Sequence, residues 1–241
     1  MSLNPSELEI ARDQPLLANL DDEQVARVLR FATVQRYPAE RVLFEEGDLP
    51  DFLHLVISGT VELYSGDGPR ECGLMLLSRG DIFMPAASVF NEPYLNSART
   101  LTRSRILLLR ADVVREEFVR SHALAINLAR VLAGQFRMAT RHIIDLKCMS
   151  APQRLASFLL RVADESPTPG LADLPVSKRR LASRVGMTPE TLSRTLQLLA
   201  ENGLHVRGTK ILIRDRKKID EFCGPPPYPE SAETGLDVHA R

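Results

Sequence analysis

The chain has 241 residues, 44% hydrophobic and 26% charged, a composition suited to a soluble globular protein of one or two domains. No apolar run is long enough to span a bilayer, and the polar, acidic start over residues 1–14 is no signal peptide, so the expected compartment is the cytoplasm. Cys72, Cys148 and Cys223 are far apart and odd in number, which excludes a disulfide framework and a zinc spacing. The zero net charge hides a dipole: residues 178–218 hold 11 basic against 3 acidic residues, whereas residues 1–50 hold 5 against 10. A basic block confined to one end points to a polyanion partner for that end.

Residues 5–32 have a helical pattern, with Leu16, Leu17 and Leu20 followed by the acidic start Asp21-Asp22-Glu23 and a periodic Val25, Val28, Leu29. From about 34 to 110 the texture changes to short apolar or alternating runs, such as Phe52-Leu53-His54-Leu55-Val56-Ile57 and Thr60-Val61-Glu62-Leu63-Tyr64. Turn residues separate them at Glu46-Gly47-Asp48, Ser58-Gly59, Gly66-Asp67-Gly68-Pro69 and Arg79-Gly80-Asp81. Strands at this spacing predict an antiparallel barrel or jelly roll. A short helix over about 111–119 then leads to a long one over about 122–147. That long helix, about 39 Å at the standard rise, exceeds what one face of a small barrel covers. Its near-heptad stripe of Leu124, Leu128, Val131, Leu132, Gln135, Met138, Ala139, Ile143 and Leu146 is expected to form a dimer seam packed partly on its own barrel. Pro152 suits the first turn of a further helix running to about 165, and residues 166–170 read as a loop. Residues 224–241 have no periodicity and are expected to be a disordered tail.

Residues 177–199 carry the most informative spacing. Ser177 can cap a first helix whose Leu181 and Val185 face a core, and Ala182 is small where a second helix would cross. Gly186 supplies a left-handed turn, Thr188 caps the second helix and Pro189 fits its first turn. On that helix Leu192, Leu196 and Leu199 point inward, and Glu190, Ser193 and Arg194 point outward. These last three are the predicted base readers, since Arg can bridge guanine O6 and N7, Glu can accept from cytosine N4, and Ser suits either base. Ser177, Lys178, Arg179, Thr188 and Thr191 are the predicted phosphate contacts. Leu204-His205-Val206 and Lys210-Ile211-Leu212-Ile213, hinged at Arg207-Gly208-Thr209, read as a two-stranded wing whose Arg207 would also touch phosphate.

These motifs carry a family resemblance. Phe44-Glu45-Glu46-Gly47-Asp48, Val56-Ile57-Ser58-Gly59-Thr60-Val61-Glu62-Leu63-Tyr64, Arg79-Gly80-Asp81-Ile82-Phe83 and Pro189-Glu190-Thr191-Leu192-Ser193-Arg194-Thr195-Leu196 follow one another in this order. From about residue 14 to 223 the chain resembles the bacterial catabolite-activator and fumarate-nitrate-regulator (Crp/Fnr) superfamily. The resemblance implies an α+β fold: a cyclic-nucleotide-binding-type β jelly roll over residues 1–120, a dimerisation helix over 121–148, and a winged helix-turn-helix over 149–223. It implies a homodimer on double-stranded DNA, with RNA polymerase as a further partner. The recognition helix looks like the fumarate-nitrate-regulator type, in which Glu, Ser and Arg read a TTGA-like half-site. The catabolite-activator type has Arg just before the Glu, where this chain has Pro189.

The effector is less legible, and Phe83, Met84, Asn96 and Ser97 are the expected pocket residues. The family's cyclic-nucleotide cassette begins Gly-Glu and ends Arg-Ser-Ala, its Arg pairing with the cyclic phosphate and its Glu holding the ribose. Here Met84-Pro85 and Asn96 stand at those positions, so cyclic AMP is disfavoured, with Arg99 and Arg103 the remaining strand arginines. An iron–sulfur cluster is disfavoured too, because the family's oxygen sensors carry cysteines near the N-terminus and the first cysteine here is Cys72. Haem stays open, with His54, His122 and His142 as candidate imidazole ligands and Met84 a soft one. A metal enzyme of cupin type is excluded by the single histidine, His54, in residues 1–110. The alternatives that remain are a cyclic-AMP-responsive regulator of the same fold and an architectural DNA-binding protein with no effector.

Overall fold

A computed structural model describes residues 3–68, 71–164, 166–225 and 227. Two compact units divide within one long helix, the first running up to Phe136 and the second starting at Arg137.

The first unit opens with α1 (Pro5–Arg12), a 3-10 turn (Pro15–Leu17) and α2 (Asp22–Val28). Both helices start on capping boxes, Asn4 with Glu7 and Asp21 with Gln24, which satisfy otherwise orphaned amides at each N-terminus. Eight strands follow: β1 (Thr33–Tyr37), β2 (Val42–Phe44), β3 (Phe52–Ser58), β4 (Val61–Ser65), β5 (Cys72–Leu77), β6 (Ile82–Phe83), β7 (Ser97–Thr100) and β8 (Ser104–Arg110). A short α3 (Pro85–Phe90) separates β6 from β7. All the pairings are antiparallel, in two four-stranded sheets of order β1-β8-β3-β6 and β2-β7-β4-β5. This is the jelly roll that the short strands and turn signals predict.

Strand β3 is buried from Leu53 to Ile57 because both its faces are covered. Val56 points into the roll with Ile106 and Leu108 of β8, Phe44, Phe83 and Tyr94. Leu53, Leu55 and Ile57 point the other way, into a second cluster with Leu107 and Leu109. That outer cluster is closed by α1, α2, α4 (Ala111–Arg120) and the first half of α5 (His122–Cys148). Gly59, between β3 and β4, has φ +94°, and a Cβ there would lie 2.3 Å from Ser104 Oγ, so the turn admits only glycine.

The second unit contains the end of α5, then α6 (Ala151–Asp164), β9 (Leu171–Asp173), α7 (Lys178–Arg184), α8 (Pro189–Glu201), β10 (Leu204–Arg207), β11 (Lys210–Ile213) and α9 (Arg216–Cys223). Leu155, Leu159, Leu181, Leu192, Leu199, Leu204, Ile211 and Ile219 form its buried interior. The wing corrects the two-stranded expectation: β9 pairs with β11 and makes a three-stranded sheet of order β10-β11-β9. Of the expected tail, only residues 224, 225 and 227 fall within the described residues. No helix among the described residues is long and apolar enough to cross a membrane.

Candidate nucleic-acid interface

Helices α7 and α8 are joined by a turn at Gly186, whose φ of +67° is the left-handed conformation expected of it. Ser177 caps α7 by accepting from the Arg180 amide at 3.4 Å, and Thr188 caps α8 by accepting from the Thr191 amide at 3.2 Å. Arg154 of α6 braces the turn, its Nε donating to the Val185 carbonyl at 3.0 Å and its NH1 group to Met149 O at 2.8 Å. Nothing in the sequence pattern marks Arg154 for this role.

The buried face of α8 is Leu192, Thr195 and Leu199. Leu196, expected to be inward, is only half-buried, which corrects that reading by one helix position. Glu190, Ser193 and Arg194 are all exposed on the opposite side, within the first two turns. The Glu190 carboxyl is held below the usual carboxylate range by its own backbone amide, then by the Thr188 hydroxyl and by Arg194. It is therefore an ionised acceptor at neutral pH. Ser177, Lys178, Arg179, Thr188, Thr191 and Arg207 are likewise exposed. The capping bonds of Ser177 and Thr188 use oxygen lone pairs as acceptors. Thr188 Oγ1 also lies 3.1 Å from Thr191 Oγ1.

A groove of about 280 Å³ runs between α8 and the wing, lined by Lys178, Ser193, Gln197, His205 and Arg207 over an apolar floor that includes Leu196. Gln197 and His205 were not singled out by the sequence, because their significance depends on α8 packing against β10.

Part of the expected stripe on the long helix packs on its own barrel. Leu124, Leu128 and Val131 are at most 3% exposed and belong to the outer core cluster of their own barrel. Gln135 Nε2 donates to the Ile82 carbonyl at 3.0 Å, and Asn127 Nδ2 to the Leu16 and Ala18 carbonyls at 3.1 and 2.6 Å. Met138 is 39% exposed. One residue further along, Ala125, Ala129, Leu132, Phe136, Ala139 and Ile143 repeat at alternating spacings of four and three. Of these, Phe136 is 72% and Ile143 52% exposed.

Two of the four barrel residues expected to line a pocket, Phe83 and Ser97, are engaged elsewhere. Phe83 is 1% exposed and packs in the barrel core, with ring centroids 6.1 Å from Phe44 and 4.9 Å from His54. Ser97 Oγ accepts from the Glu46 amide at 3.0 Å. Met84 sits at the start of α3 with φ +57°, and Asn96 Oδ1 is buried with no hydrogen-bond partner. Arg99 lies between two carboxylates: its Nε and one NH2 donate to Glu62 at 2.9 and 2.6 Å, and both terminal nitrogens to Glu71 at 2.8 and 2.6 Å. Its guanidinium also stacks 4.2 Å from the Tyr64 ring centroid. Of the candidate haem ligands, His54 is wedged between Phe44 and Phe83 in the core, His122 is exposed, and His142 is half-buried. Burial, and next Arg184, lower the His142 pKa.

Comparison with known proteins fits this geometry. Residues 34–121 match the model of the cyclic nucleotide-binding domain, and residues 153–222 that of the Crp-like helix-turn-helix domain. The chain is 31% identical over 219 residues to the cyclic AMP receptor protein of Thermus thermophilus, covering 88% of this chain and 98% of that one. It is 26% identical over 218 residues to a CRP-like cAMP-activated global transcriptional regulator of Mycobacterium tuberculosis, covering 88% and 97%. The structure of FixK2 from Bradyrhizobium japonicum superposes with a TM-score of 0.72 at 24% identity, covering 80% of this chain and 98% of that one, a likeness of fold.

The residues of this barrel do not fit the cyclic nucleotide that such a domain implies. The cassette position for a phosphate-pairing cation holds the neutral Asn96, and the neighbouring Arg99 is closed on Glu62 and Glu71. Pro85 replaces the acid that would hold a ribose hydroxyl.

Proposed function

The chain belongs to the Crp/Fnr superfamily of transcription regulators, and on that premise we propose that it acts as an effector-controlled homodimer reading a TTGA-like palindrome. It is a DNA-binding regulator and no enzyme, as its relatives are. The observation that carries the finer reading is the exposed trio Glu190, Ser193 and Arg194 in the first turns of α8, inside a surround of basic residues. Arg194 pairs bidentately with a guanine, Glu190 accepts from a cytosine amine, and Ser193 serves the neighbouring base. Lys178, Arg179 and Arg207, with the hydroxyls of Ser177, Thr188 and Thr191, fix the register on phosphates.

Pairing of two chains runs through Ala125, Ala129, Leu132, Phe136, Ala139 and Ile143 of α5, at the alternating four- and three-residue spacing of a coiled-coil repeat. The barrel biases this pairing by population shift: an effector that favours one meeting of the long helices favours one spacing of the recognition helices. Its chemistry is something other than a cyclic nucleotide, since the phosphate cation is missing. RNA polymerase is the partner through which a bound dimer acts.

Two measurements test this. Affinity for a TTGA palindrome and for a scrambled duplex, compared at one stated salt concentration, should differ by at least about 10³-fold. Equal affinities would favour an architectural protein instead. In sedimentation, Phe136→Asp should turn a dimer into a monomer; an unchanged dimer rejects the seam.

A further inference from the structure

We infer that the groove between α8 and the wing seats a DNA backbone phosphate, with the His205 imidazolium as a third cation beside Lys178 and Arg207. The inference rests on the reading of α8 as the recognition helix and adds to it a residue and a pH dependence. Three nitrogen-bearing side chains from three places meet here: Lys178 at the start of α7, His205 within β10 and Arg207 at its end. Ser193 and Gln197 of α8 add neutral hydrogen-bonding groups. No carboxylate is among the lining residues. Directly across the wing, His205 pairs with the apolar Leu212, and the nearby Lys210 of β11 is tied to Asp173 of β9 at 2.7 Å. The groove thus collects positive groups on the same side as Ser193, which the proposed reading sets against a base.

A phosphodiester fits this chemistry, being a singly charged anion with oxygens that accept from ammonium, guanidinium and imidazolium together. Histidine is the member of the set whose charge changes between pH 5 and 8. A phosphate placed in a groove without carboxylates favours the protonated ring, so DNA binding takes up a proton at His205. Affinity then rises as pH falls through that range. Because the contact is with phosphate, the gain is the same for every sequence.

The test uses the full chain and fluorescence anisotropy with the TTGA palindrome and a scrambled duplex, near pH 6 and near pH 8, across a series of salt concentrations. Wild-type protein should bind both duplexes about fivefold or more tighter at the lower pH, with a log–log salt slope steeper by about 2 for a dimer gaining two cations. His205→Gln should lose both effects and keep the wild-type ratio between the duplexes. As a check free of substitution, the His205 ring proton signals of the wild type, followed by NMR, should titrate at higher pH with duplex than without. An unchanged pH difference in His205→Gln, or a ring titration indifferent to DNA, overturns the inference. Failure of the recognition reading looks different: the wild type would not prefer the palindrome, while the pH effect on the scrambled duplex would still judge the phosphate seat.

Discussion

In the barrel Arg99 is closed on Glu62 and Glu71, its side chain 12% exposed, and Glu62 is 4% exposed beneath it. In the winged-helix unit Arg194 stands on the surface, with Glu190 the charge that faces it from the preceding turn. Two arginines of one chain therefore do opposite work. The first neutralises the buried Glu62 and the half-buried Glu71 and holds adjacent strands, since Arg99 of β7 sits across from Glu62 of β4. The second is exposed, as the proposed base-reading role requires. Substitutions should separate the two units accordingly: the barrel should answer in stability, the winged helix in DNA affinity.

Arg99→Ala is the strongest expected break. It takes the guanidinium away from the buried Glu62 carboxylate and should cost about 3–5 kcal/mol in urea unfolding. A loss below about 1 kcal/mol would mean that water reaches the site. Arg99 is held protonated by Glu71 and then by Glu62, so the pair does not relax by losing that proton.

The next effect is on pH and again belongs to the barrel. Burial pushes the His54 imidazole down to about 4 from its ordinary 6.5. Between these values the unfolded chain binds a proton that the folded chain does not. The contribution of this residue is thus complete above pH 6.5 and is lost as pH falls through 4, in total about 3 kcal/mol. Urea unfolding of wild type and His54→Leu near pH 7, 5.5 and 4.5 should show a shallower decline for the variant. Parallel curves would remove His54 from the account.

Arg194→Ala should cost about 1–3 kcal/mol of affinity for the palindrome and relax preference at one base pair, with the unfolding midpoint unchanged. Equal loss on scrambled DNA would contradict base reading. The smallest effect is that of Lys178→Ala, which should weaken all duplexes alike and reduce the salt slope by about 1 for each protomer. A loss confined to the palindrome would instead place Lys178 among the base readers.

The two units also differ in how much of them could be read in advance. The helix-turn-helix was legible because its signals are local: Ser177 and Thr188 cap, Gly186 turns, and Leu192 and Leu199 set the buried face within one helix. The jelly-roll strands were legible from turn residues such as Gly59 and Gly80, both at positive φ. Short elements escaped because they carry too few residues to show a period, as with β9, where only Ala172 is buried. The Arg99 cluster escaped because it depends on the register between β4 and β7, set by sheet pairing over a distance of 37 residues. Which row of the long helix packs on the barrel is a third matter that the sequence leaves open. Helix α5 is apolar on two sides, and the rows beginning at Leu124 and Ala125 both look like heptads. Only the packing of Leu124, Leu128 and Val131 into the barrel cluster decides which row is buried within the chain.

Half-site spacing probes the pairing of recognition helices most directly. Affinity is measured for a TTGA palindrome whose half-sites lie one helical turn apart, and for the same palindrome with about half a turn of DNA inserted at its centre. The two α8 helices of a rigid dimer should then reach only one half-site, and affinity should fall to that of a duplex carrying a single half-site. Undiminished binding to the inserted duplex would contradict a dimer that reads both halves at once.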